Sequence, residues 1–264
     1  MATAAPSPAT LDLSPGYREI APPVALRDAL ECLWVRVSPD RSPPAHVLPD
    51  GGADIIWSAG EPAFVAGPDT TARLIPVSPR TFIFGARFNP GAGGAALGLP
   101  LSELRDTRAW LTELRPELGD RLDPDLSPQA AFDQLAAIVW RLVAEGPPDP
   151  AVRAAARQLD HPRTRVETLA SDLGLSERQL LRRCHAGIGY GPKTLQRILR
   201  FRRFLAGLDS GGPEPDLARL AFDAGYADQA HLTRDSTRLA GMAPAALAQS
   251  RRAASAVSPS ASTR

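Results

Sequence analysis

Two stretches in the C-terminal half of the chain carry side chains that could bind a polyanion. SERQLLRRC contains Arg178 and Arg182, and DQAHLTRD contains His231, Thr233 and Arg234. A guanidinium can donate two parallel hydrogen bonds to O6 and N7 of guanine, and hydroxyl groups can bind phosphates. Each stretch follows a glycine that a continuous helix would not tolerate without loss of stability. The spacing therefore predicts two pairs of short helices, with these side chains on the second helix of each pair.

Metal and covalent chemistry are weakly indicated elsewhere. Asp50 and Asp54 could ligate a metal, but Asp50 is followed by glycine, a typical turn dipeptide, and His46 is the single histidine of the first 150 residues. Cys32 and Cys184 have no metal-type spacing, and Cys184 is expected to be an inert thiol in a helix core. No Ser/His/Asp or Cys/His set can be assembled. We predict no metal, no cofactor and no enzymatic activity.

Three further side chains of the N-terminal half have two interpretations. Arg87 lies between apolar neighbours and could bind an anionic effector, although an ion pair with one of the many acids is favoured. Trp34 and Trp57 could line a pocket, although packing in a core is favoured because both lie in strand-like runs. None of the three is assigned to a site.

Charge divides the chain into an acidic half and a basic half. Residues 1–150 hold 12 arginines against 19 Asp and Glu, a formal charge of −7, whereas residues 151–252 hold 17 Lys and Arg against 10 acids, a formal charge of +7. A basic half joined to an acidic one indicates two tasks, with the polyanion-facing task at the C-terminal side.

Composition also predicts the domain boundaries. Both ends are rich in Ala, Ser, Thr and Pro, which favours disorder, and AEGPPDP contains enough proline and glycine to end a helix and serve as a linker. The predicted parts are a disordered start (1–14), a β-rich sensory or dimerisation domain (15–143), a linker (144–149), a helical DNA-binding domain (150–252) and a disordered tail (253–264).

Nothing in the sequence indicates a membrane segment. No apolar run approaches the roughly 18 residues that a membrane span needs. The start, MATAAPSPAT, lacks a basic stretch followed by an apolar run. We expect a cytoplasmic protein without a membrane partner.

The N-terminal half is predicted to be a small β-sandwich or barrel with trailing helices. Its short apolar runs are bounded by Pro, Gly and Asp, as is typical of strands: CLWVRV, ADIIW, AFVAG, RLIPV and TFIFGARF. A helix is then predicted with Ser127 as N-cap and Pro128 in its first turn. Its apolar stripe is interpreted as packing against the sheet, with a dimer contact as the alternative.

The C-terminal half shows only helix signals. Pro150 can open a helix, and a longer helix is predicted over residues 193–208. The remaining helix starts are predicted from two capping boxes, Thr164-x-x-Glu167 and Ser176-x-x-Gln179, and from the cap residues Asp216 and Asp228.

One pattern occurs twice in this half: Leu-Ala-x-x-x-Gly, a turn, a capped helix with an arginine, and Gly-x-x-Pro. The copies begin at Leu169 and Leu220, 51 residues apart, and their arginines, Arg182 and Arg234, are 52 residues apart. Two copies in a basic helical region are a much stronger signal than one. Each copy reads as a helix-turn-helix in which one face of the second helix is free to enter a major groove.

Local chemistry explains the repeated residues. Gly174 and Gly225 permit the positive φ angle of the turn. Leu180 and Leu232 bury the second helix of each unit against the first. Of the four arginines on the helix between the units, Arg197, Arg200, Arg202 and Arg203, some are expected to contact phosphates and the rest to be solvated.

The region from about 151 to 251 resembles the DNA-binding domain of AraC/XylS-type transcriptional regulators. The motifs that carry the resemblance are LASDLGLSERQLLRRC…GYGP and LARLAFDAGYADQAHLTRD…AGMAP. The resemblance implies seven helices with two helix-turn-helix units. By position, it implies base-facing residues at Arg178, Leu181 and Arg182 in the first unit and at Gln229, His231, Thr233 and Arg234 in the second.

Three positions depart from that family. An aromatic residue is usual where Cys184, Leu232 and Ser236 stand here. The first two keep the core apolar, whereas Ser236 introduces a hydroxyl that is expected to loosen or locally rearrange the second unit.

The N-terminal half resembles, less specifically, a β-rich domain that accompanies some such regulators. It implies a sensory or dimerising module without a nameable ligand. The matching residues are Tyr17-Arg18, Pro22-Pro23, Leu33-Trp34, Leu48-Pro49-Asp50-Gly51, Gly67-Pro68 and Gly85-x-Arg87-Phe88-x-Pro90-Gly91.

Together these features predict an α+β protein that acts as a sequence-specific transcriptional regulator and reads two successive major grooves of double-stranded DNA, about 34 Å apart. A small-molecule effector, RNA polymerase and a second copy of the chain are further candidate partners. The alternatives are a basic module for nonspecific DNA or acidic-protein binding, and an enzyme domain targeted to DNA. The predicted DNA-binding residues are Ser176, Arg178, Leu181, Arg182, Arg183, Gln229, His231, Thr233 and Arg234.

Overall fold

A computed structural model describes residues 10–41, 43–58, 61–119, 126–212 and 214–257. The described residues form two separate clusters of buried side chains, one drawn from Leu11 to Leu142 and the other from Val152 to Leu247. Strands occur only before the second cluster and helices dominate it, so the chain has the predicted α+β architecture. No helix in the described ranges is long and apolar enough to span a membrane.

The N-terminal half is built on β-strands. Each of the five apolar runs is confirmed as a strand, and three short strands that the sequence did not reveal add to them. The strands are β1 (Gly16–Ile20), β2 (Leu30–Val37), β3 (Ala45–Val47), β4 (Asp54–Ser58), β5 (Phe64–Ala66), β6 (Arg73–Ile75), β7 (Phe82–Phe88) and β8 (Arg108–Trp110). Six of them form one antiparallel sheet in the order β1-β2-β7-β4-β5-β8, and β3 pairs with β6 in a separate ribbon.

Eleven α-helices lie in the described residues. They are α1 (Gly93–Leu97), α2 (Leu111–Leu114), α3 (Pro116–Gly119), α4 (Pro128–Glu145), α5 (Pro150–Asp160), α6 (Val166–Asp172), α7 (Glu177–Ile188), α8 (Pro192–Ser210), α9 (Leu217–Ala224), α10 (Gln229–Ala240) and α11 (Pro244–Val257). A 3-10 turn covers Leu101–Glu103. Seven of the helices, α5 to α11, follow residue 149, which is the number that the resemblance implied.

Helix α4 covers one face of the sheet. Phe132, Leu135 and Val139 are fully buried, and the Phe132 ring lies 6.0 Å from the ring of Phe84 on β7. The apolar stripe of α4 therefore packs in the core, as predicted. Leu11 joins the same core, and its N–H donates to Gln129 Oε1 at 2.9 Å. Residues 10–14 thus differ from the disorder expected for 1–14, and residues 1–9 lie outside the described ranges.

The predicted helix caps are confirmed with one exception. The residues with a confirmed capping hydrogen bond are Ser127, Ser176, Asp216 and Asp228. The capping box at Thr164 is wrong: α6 begins at Val166 with Arg165 in the cap position and no side-chain cap. The Thr164 hydroxyl instead donates to the carbonyl of Gln158, near the end of α5. A local hydrogen bond to the preceding helix has replaced the cap.

The segment between α4 and α5 is packed closely against the N-terminal domain. A Cβ atom added to Gly146 would lie 1.9 Å from the carbonyl oxygen of Ala95, so only glycine allows this approach. Asp149 accepts a hydrogen bond from Ala151 N and caps α5. The chain therefore crosses between the two halves in contact with both.

The C-terminal helix extends further than composition suggested. Helix α11 continues to Val257, beyond the predicted end of the domain at residue 252. Alanine is the best helix former, and the sequence RRAASAV supplies three of them. The rest of the predicted tail, 258–264, lies outside the described residues.

Candidate nucleic-acid interface

The first helix-turn-helix unit consists of α6 and α7. Gly174 turns the chain with φ of +66°, and the next residue, Leu175, donates its N–H to the Ala170 carbonyl at 2.9 Å. Ser176 then caps α7 in a capping box with Gln179. Leu180 is buried between the helices, with 3% of its surface exposed. Glycine, cap and buried leucine have the predicted roles.

The second unit, α9 and α10, repeats this geometry. Gly225 turns the chain with φ of +92°, and the next residue, Tyr226, donates its N–H to the Ala221 carbonyl at 2.9 Å. Asp228 caps α10 by accepting from His231 N at 2.6 Å. Leu232 is completely buried. The repeat found in the sequence is thus a repeat of turn hydrogen bonds as well as of residue types.

One face of α7 is open to solvent and basic. Arg178, Leu181 and Arg182 are all exposed. Leu181, with 47% of its surface exposed, is one of the few large apolar residues among those described that are exposed to solvent. Neither arginine forms an ion pair with any described residue, although Arg183 beside them does. The three side chains predicted to face bases therefore share an accessible surface.

The corresponding face of α10 carries Gln229, Thr233 and Arg234, which are also exposed. Arg234 forms no ion pair within the described residues. The Thr233 hydroxyl donates to the Gln229 carbonyl at 2.8 Å, which leaves the oxygen as an acceptor and the methyl group exposed. Both units thus present an unpaired arginine at the equivalent place, Arg182 and Arg234.

Three of the predicted DNA-binding residues have structural partners. The Ser176 hydroxyl is engaged in the cap of α7. Arg183 pairs with Asp149 at 3.2 Å, across the start of α5. His231 is half-buried, and its ring stands edge-on to that of Tyr226 with 5.1 Å between ring centroids. The Ser176 cap was predicted from its spacing, whereas the Arg183 pair could not be, because Asp149 is 34 residues from Arg183.

A polar network lies behind α10 and joins it to α8. Asp235 is 6% exposed, and its carboxylate is 3.2 Å from Arg197 and 3.7 Å from His231 Nε2. Arg200 places Nη1 3.1 Å from His231 Nε2 and its Cζ 5.3 Å from the centroid of the Tyr226 ring. Burial raises the pKa of the Tyr226 phenol, so the ring stays neutral beside these cations. The sequence offered one signal for this network, the i,i+4 spacing of His231 and Asp235.

Ser236, the departure from the family pattern, is accommodated locally. Its side chain is fully buried, and its hydroxyl donates to the Met242 carbonyl at 2.8 Å. A buried hydroxyl with a partner avoids the free-energy penalty of an unsatisfied group. The hydrogen bond crosses the turn between α10 and α11, so serine ties these helices together where an aromatic ring would fill space.

The other two arginines on α8, Arg202 and Arg203, also have partners within the fold. Arg202 donates to the Asp50 carbonyl at 3.0 Å and pairs with Glu31 of the N-terminal domain. Arg203 donates to the Ala224 carbonyl at 3.2 Å and pairs with Asp160 at 3.1 Å. Their side chains therefore do not form the solvated or phosphate-binding face expected of this helix.

The N-terminal domain touches both units. Helix α7 packs on α1 so closely that a Cβ added to Gly94 would lie 2.4 Å from the Ala186 carbonyl oxygen. Among the described residues, one backbone hydrogen bond joins the N-terminal domain to the second unit: Ala72 N–H donates to the Leu239 carbonyl at 2.7 Å. The N-terminal domain thus contacts the second helix of both units, α7 by close packing and α10 by a hydrogen bond.

Ionisable groups of the N-terminal domain are mostly satisfied by one another. Arg87 pairs with Asp50 at 2.9 Å, with Asp54 at 3.4 Å and with Glu19 at 3.3 Å, as the favoured interpretation predicted. Trp34 donates its indole N–H to Asp54 at 2.8 Å. No group of three or more metal-ligating side chains occurs among the residues that the structure describes.

Both thiols are unsuited to nucleophilic chemistry. Cys32 and Cys184 are buried, and burial raises the pKa of each thiol to about 12. A nucleophilic cysteine needs a lowered pKa and access to solvent. The geometry therefore gives no support to the alternative of a thiol-dependent enzyme targeted to DNA.

Comparison with known families divides the chain in the same way as the fold. Residues 169–250 match a family described as a helix-turn-helix domain, and residues 18–110 match a family described as a domain of unknown function (DUF6597). The C-terminal match covers both helix pairs, and the domain is of the AraC type. The protein is therefore a DNA-binding transcription regulator with an AraC-type helix-turn-helix domain.

Several solved structures are similar to this chain at low sequence identity. An apo ToxT variant from Vibrio cholerae is 11% identical with a TM-score of 0.46, covering 82% of this chain and 97% of that one. ToxT from Vibrio cholerae in a second structure is 9% identical with a TM-score of 0.43, covering 82% and 95%. Wild-type ToxT bound to an unsaturated fatty acid is 10% identical with a TM-score of 0.40, covering 82% and 93%. No curated protein matches the chain.

Proposed function

We propose that the two units read two successive major grooves of one DNA duplex, with α7 in the first groove and α10 in the second. The observation that carries this proposal is that the arginines at equivalent places in the repeat are exposed and form no ion pair with a described residue. Arg182 and Arg234 are exposed and unpaired among the described residues, whereas Arg183 beside Arg182 is held by a carboxylate, as are Arg202 and Arg203 on α8. An arginine kept free of intramolecular partners is available for bidentate contact with guanine.

The remaining predicted residues divide into base readers and positioning residues. Arg178 and Leu181 in α7 and Gln229 and Thr233 in α10 share the exposed faces and are proposed to meet base edges, Leu181 and the Thr233 methyl through thymine methyl groups. Three residues are proposed to serve at phosphates or to hold a reading helix in place: Ser176, Arg183 and His231.

The N-terminal domain is proposed to regulate this reading. It contacts α7 through α1 and α10 through one hydrogen bond, so a change in this domain alters the availability or spacing of the reading helices. A small-molecule effector, a second copy of the chain or RNA polymerase is proposed as the partner that biases the change. The protein is proposed to act in the cytoplasm.

The test is selection of binding sequences from random duplexes, followed by titration of the selected duplex with variants. We expect a bipartite motif, and Arg182→Ala and Arg234→Ala each to lower affinity by about 1–3 kcal/mol while relaxing a different half of the motif. Arg105→Ala is the control, since Arg105 is exposed, lacks an ion pair among described residues and belongs to the N-terminal domain.

Two outcomes would overturn the proposal. If no motif emerges and both variants weaken all duplexes equally, the arginines contact only phosphates and the protein is a nonspecific DNA-binding module. If no duplex binds, the alternative of a basic surface for an acidic protein takes its place.

A further inference from the structure

One short segment of the N-terminal domain, residues 67–72, contacts the C-terminal ends of both reading helices. Pro68 lies against Gly189, the C-cap of α7, where an added Cβ atom would lie 2.5 Å from Pro68 Cγ. Further along the same segment, Ala72 donates its N–H to the Leu239 carbonyl of α10 at 2.7 Å. We call residues 67–72 the brace, because the segment runs from one helix end to the other.

The contact with α7 is made by close packing. Gly189 ends α7 with φ of +98°, and the Cβ that it lacks would also lie 3.1 Å from the Leu101 carbonyl oxygen. Pro68 is buried, and a Cβ added to its neighbour Gly67 would lie 1.8 Å from the Leu104 carbonyl oxygen. The start of the brace is therefore packed between the end of α7 and the segment that follows α1.

The contact with α10 satisfies a helix end. The last carbonyl groups of a helix have no partner within the helix. Gly241 binds the Thr237 carbonyl, whereas the Leu239 carbonyl is bound by Ala72 of the N-terminal domain. Because Leu239 is only 2% exposed, moving the brace away would leave a buried carbonyl unsatisfied, which is unfavourable.

Ion pairs to a buried carboxylate hold the middle of the brace. Asp69 is 8% exposed and accepts hydrogen bonds from Arg73 at 3.0 Å and from Arg108 at 2.6 Å and 3.1 Å. Thr70 donates its N–H to the Asp106 carboxylate at 2.7 Å and its hydroxyl at 2.8 Å. Hydrogen bonds to a charged group are about twice as strong as neutral ones, so the brace has little freedom to move.

The brace is anchored on a strained residue. Asp106 has φ of +58°, a conformation that a side chain disfavours and that persists only where surrounding contacts impose it. Here the contacts are the two hydrogen bonds from Thr70 and one from the Arg73 guanidinium to the Asp106 carbonyl. Strained residues of this kind cluster at functional positions, which indicates a role for the brace beyond stability.

From these contacts we propose that the brace sets the distance between the ends of the two reading helices, and thereby the spacing that the protein accepts between the two halves of its DNA site. Asp69, Thr70 and Asp106 are positioning residues that act on specificity without contacting a base. The inference rests on the proposed function, since a spacing has meaning only if both helices bind one duplex. The body of the second unit is still held by α8, and only the end of α10 is assigned to the brace.

The first test measures the spacing preference of a variant at Asp106. Duplexes carry the two selected half-motifs at the selected spacing or with one base pair inserted, which moves the second half by about 3.4 Å and turns it by about 34°. The wild type should bind the inserted duplex about 10- to 100-fold more weakly, because at least one bidentate base contact is lost. Asp106→Gly tolerates the positive φ but removes the carboxylate, and should lower this ratio by about fivefold or more.

Three further variants accompany Asp106→Gly. Asp106→Asn still accepts a hydrogen bond from Thr70 and tolerates the left-handed region, so it should restore most of the preference. Arg80→Gly is the matched control, because Arg80 is the other described non-glycine residue with positive φ and pairs with Asp40 outside the brace. It should leave the ratio unchanged. Thr70→Val removes only the hydroxyl, and should lower the ratio even if thermal melting shows that Asp106→Gly fails to fold.

The second test measures the helix separation without DNA. Spin labels are attached through Arg178→Cys on α7 and Gln229→Cys on α10, both at exposed positions, while Cys32 and Cys184 are buried. Double electron–electron resonance should give a narrow distribution of distances in the labelled protein. The distribution should broaden when Asp106→Gly is added, and stay narrow with Asp106→Asn.

The outcomes separate the two proposals. If no two-part motif is selected, the double-reader proposal fails and the spacing role fails with it. If the wild type prefers one spacing and both Asp106→Gly and Thr70→Val keep that preference, or if the label distances stay narrow in Asp106→Gly, the brace proposal alone is wrong. If Asp106→Gly binds both duplexes more tightly than the wild type, the Ala72 contact is an inhibitory latch, and the spacing role is overturned.

Discussion

The two helix-turn-helix units share a backbone plan but are held in place by different forces. In both, a glycine in the left-handed region is followed by a residue that donates to an alanine carbonyl at 2.9 Å. The first unit is fixed by close packing of α7 on the N-terminal domain. The second is fixed by the charged network of Arg197, Arg200, His231 and Asp235, and has one described hydrogen bond to the N-terminal domain.

This difference means that the two units respond to different kinds of change. Close packing responds steeply to a change of shape, because a displacement of a fraction of an ångström already loses dispersion energy. A polar network tolerates small displacements but responds to charge. We infer that the position of the first unit depends on the N-terminal domain, whereas the position of the second depends mainly on α8 and on bound DNA.

The largest expected effect tests whether the units are separate at all. Leu180→Ala and Leu232→Ala remove equivalent buried side chains, and each should lower the free energy of unfolding by about 2–5 kcal/mol. Hydrogen exchange should show lost protection confined to α9–α11 in Leu232→Ala, since the N-terminal domain does not support that unit strongly. Loss of protection in α6 and α7 to the same degree would mean that the two units are one cooperative body.

The next effect concerns the packing of the first unit. In Gly94→Ala the new methyl group would sit 2.4 Å from the Ala186 carbonyl, so α1 and α7 must separate, at a cost of about 1–3 kcal/mol. Hydrogen exchange should rise in α7 and stay unchanged in α10. The matched control is Gly212→Ala, where nothing lies within 4 Å and the change should be neutral or slightly stabilising. Equal exchange in both helices would contradict the asymmetry.

A smaller effect tests the network of the second unit. Asp235→Asn removes the charge that faces Arg197 and should destabilise by about 1–2 kcal/mol, because Asp235 is nearly buried. Selection should then show relaxed preference in the half of the motif read by α10 only.

Asp149→Asn is the matched change in the first unit. Asn preserves the cap of α5, and the pair with Arg183 is well exposed, so a loss of about 0–1 kcal/mol is expected. If this variant relaxes its half of the motif as much as Asp235→Asn does, polar anchoring is common to both units.

Local chemistry made most of this architecture predictable. Caps such as Ser176 and Asp228, the turn glycines and the apolar runs of β2 and β7 depend on neighbouring residues, so their sequence signals are direct. Even locally there was a limit: the Thr164 hydroxyl could accept a hydrogen bond from a backbone N–H of α6 as its cap or donate one to a carbonyl of α5, and the sequence did not decide between the two.

Long-range partners could not be predicted. Arg202 was expected to be a solvated or phosphate-binding arginine, but it forms an ion pair with Glu31, which is 171 residues away in the sequence. The strands β1, β3 and β8 were missed because each depends on a partner strand more than on its own composition. The interface was therefore predictable as a set of candidates, whereas the division into free and paired arginines needed the fold.

The most direct comparison of the two units exchanges one pair of buried side chains at equivalent positions. Cys184 and Ser236 are 52 residues apart, occupy equivalent places and are both fully buried. The Ser236 hydroxyl donates to the Met242 carbonyl, while the Cys184 thiol has no hydrogen bond with a described residue and lies among apolar side chains. The exchanged variants, Cys184→Ser and Ser236→Cys, should each lower the free energy of unfolding by about 0.5–1.5 kcal/mol in urea titrations.

The reasons differ between the two variants. Ser236→Cys replaces a good donor with a weak one and leaves the Met242 carbonyl poorly satisfied. Cys184→Ser buries a hydroxyl in an apolar site, relieved in part by a bond to the carbonyl four residues earlier. If Ser236→Cys were neutral, its hydrogen bond would contribute nothing, and the second unit would owe its order to the charged network alone. If both variants are destabilised, the two units have equivalent backbones but cores that are not interchangeable.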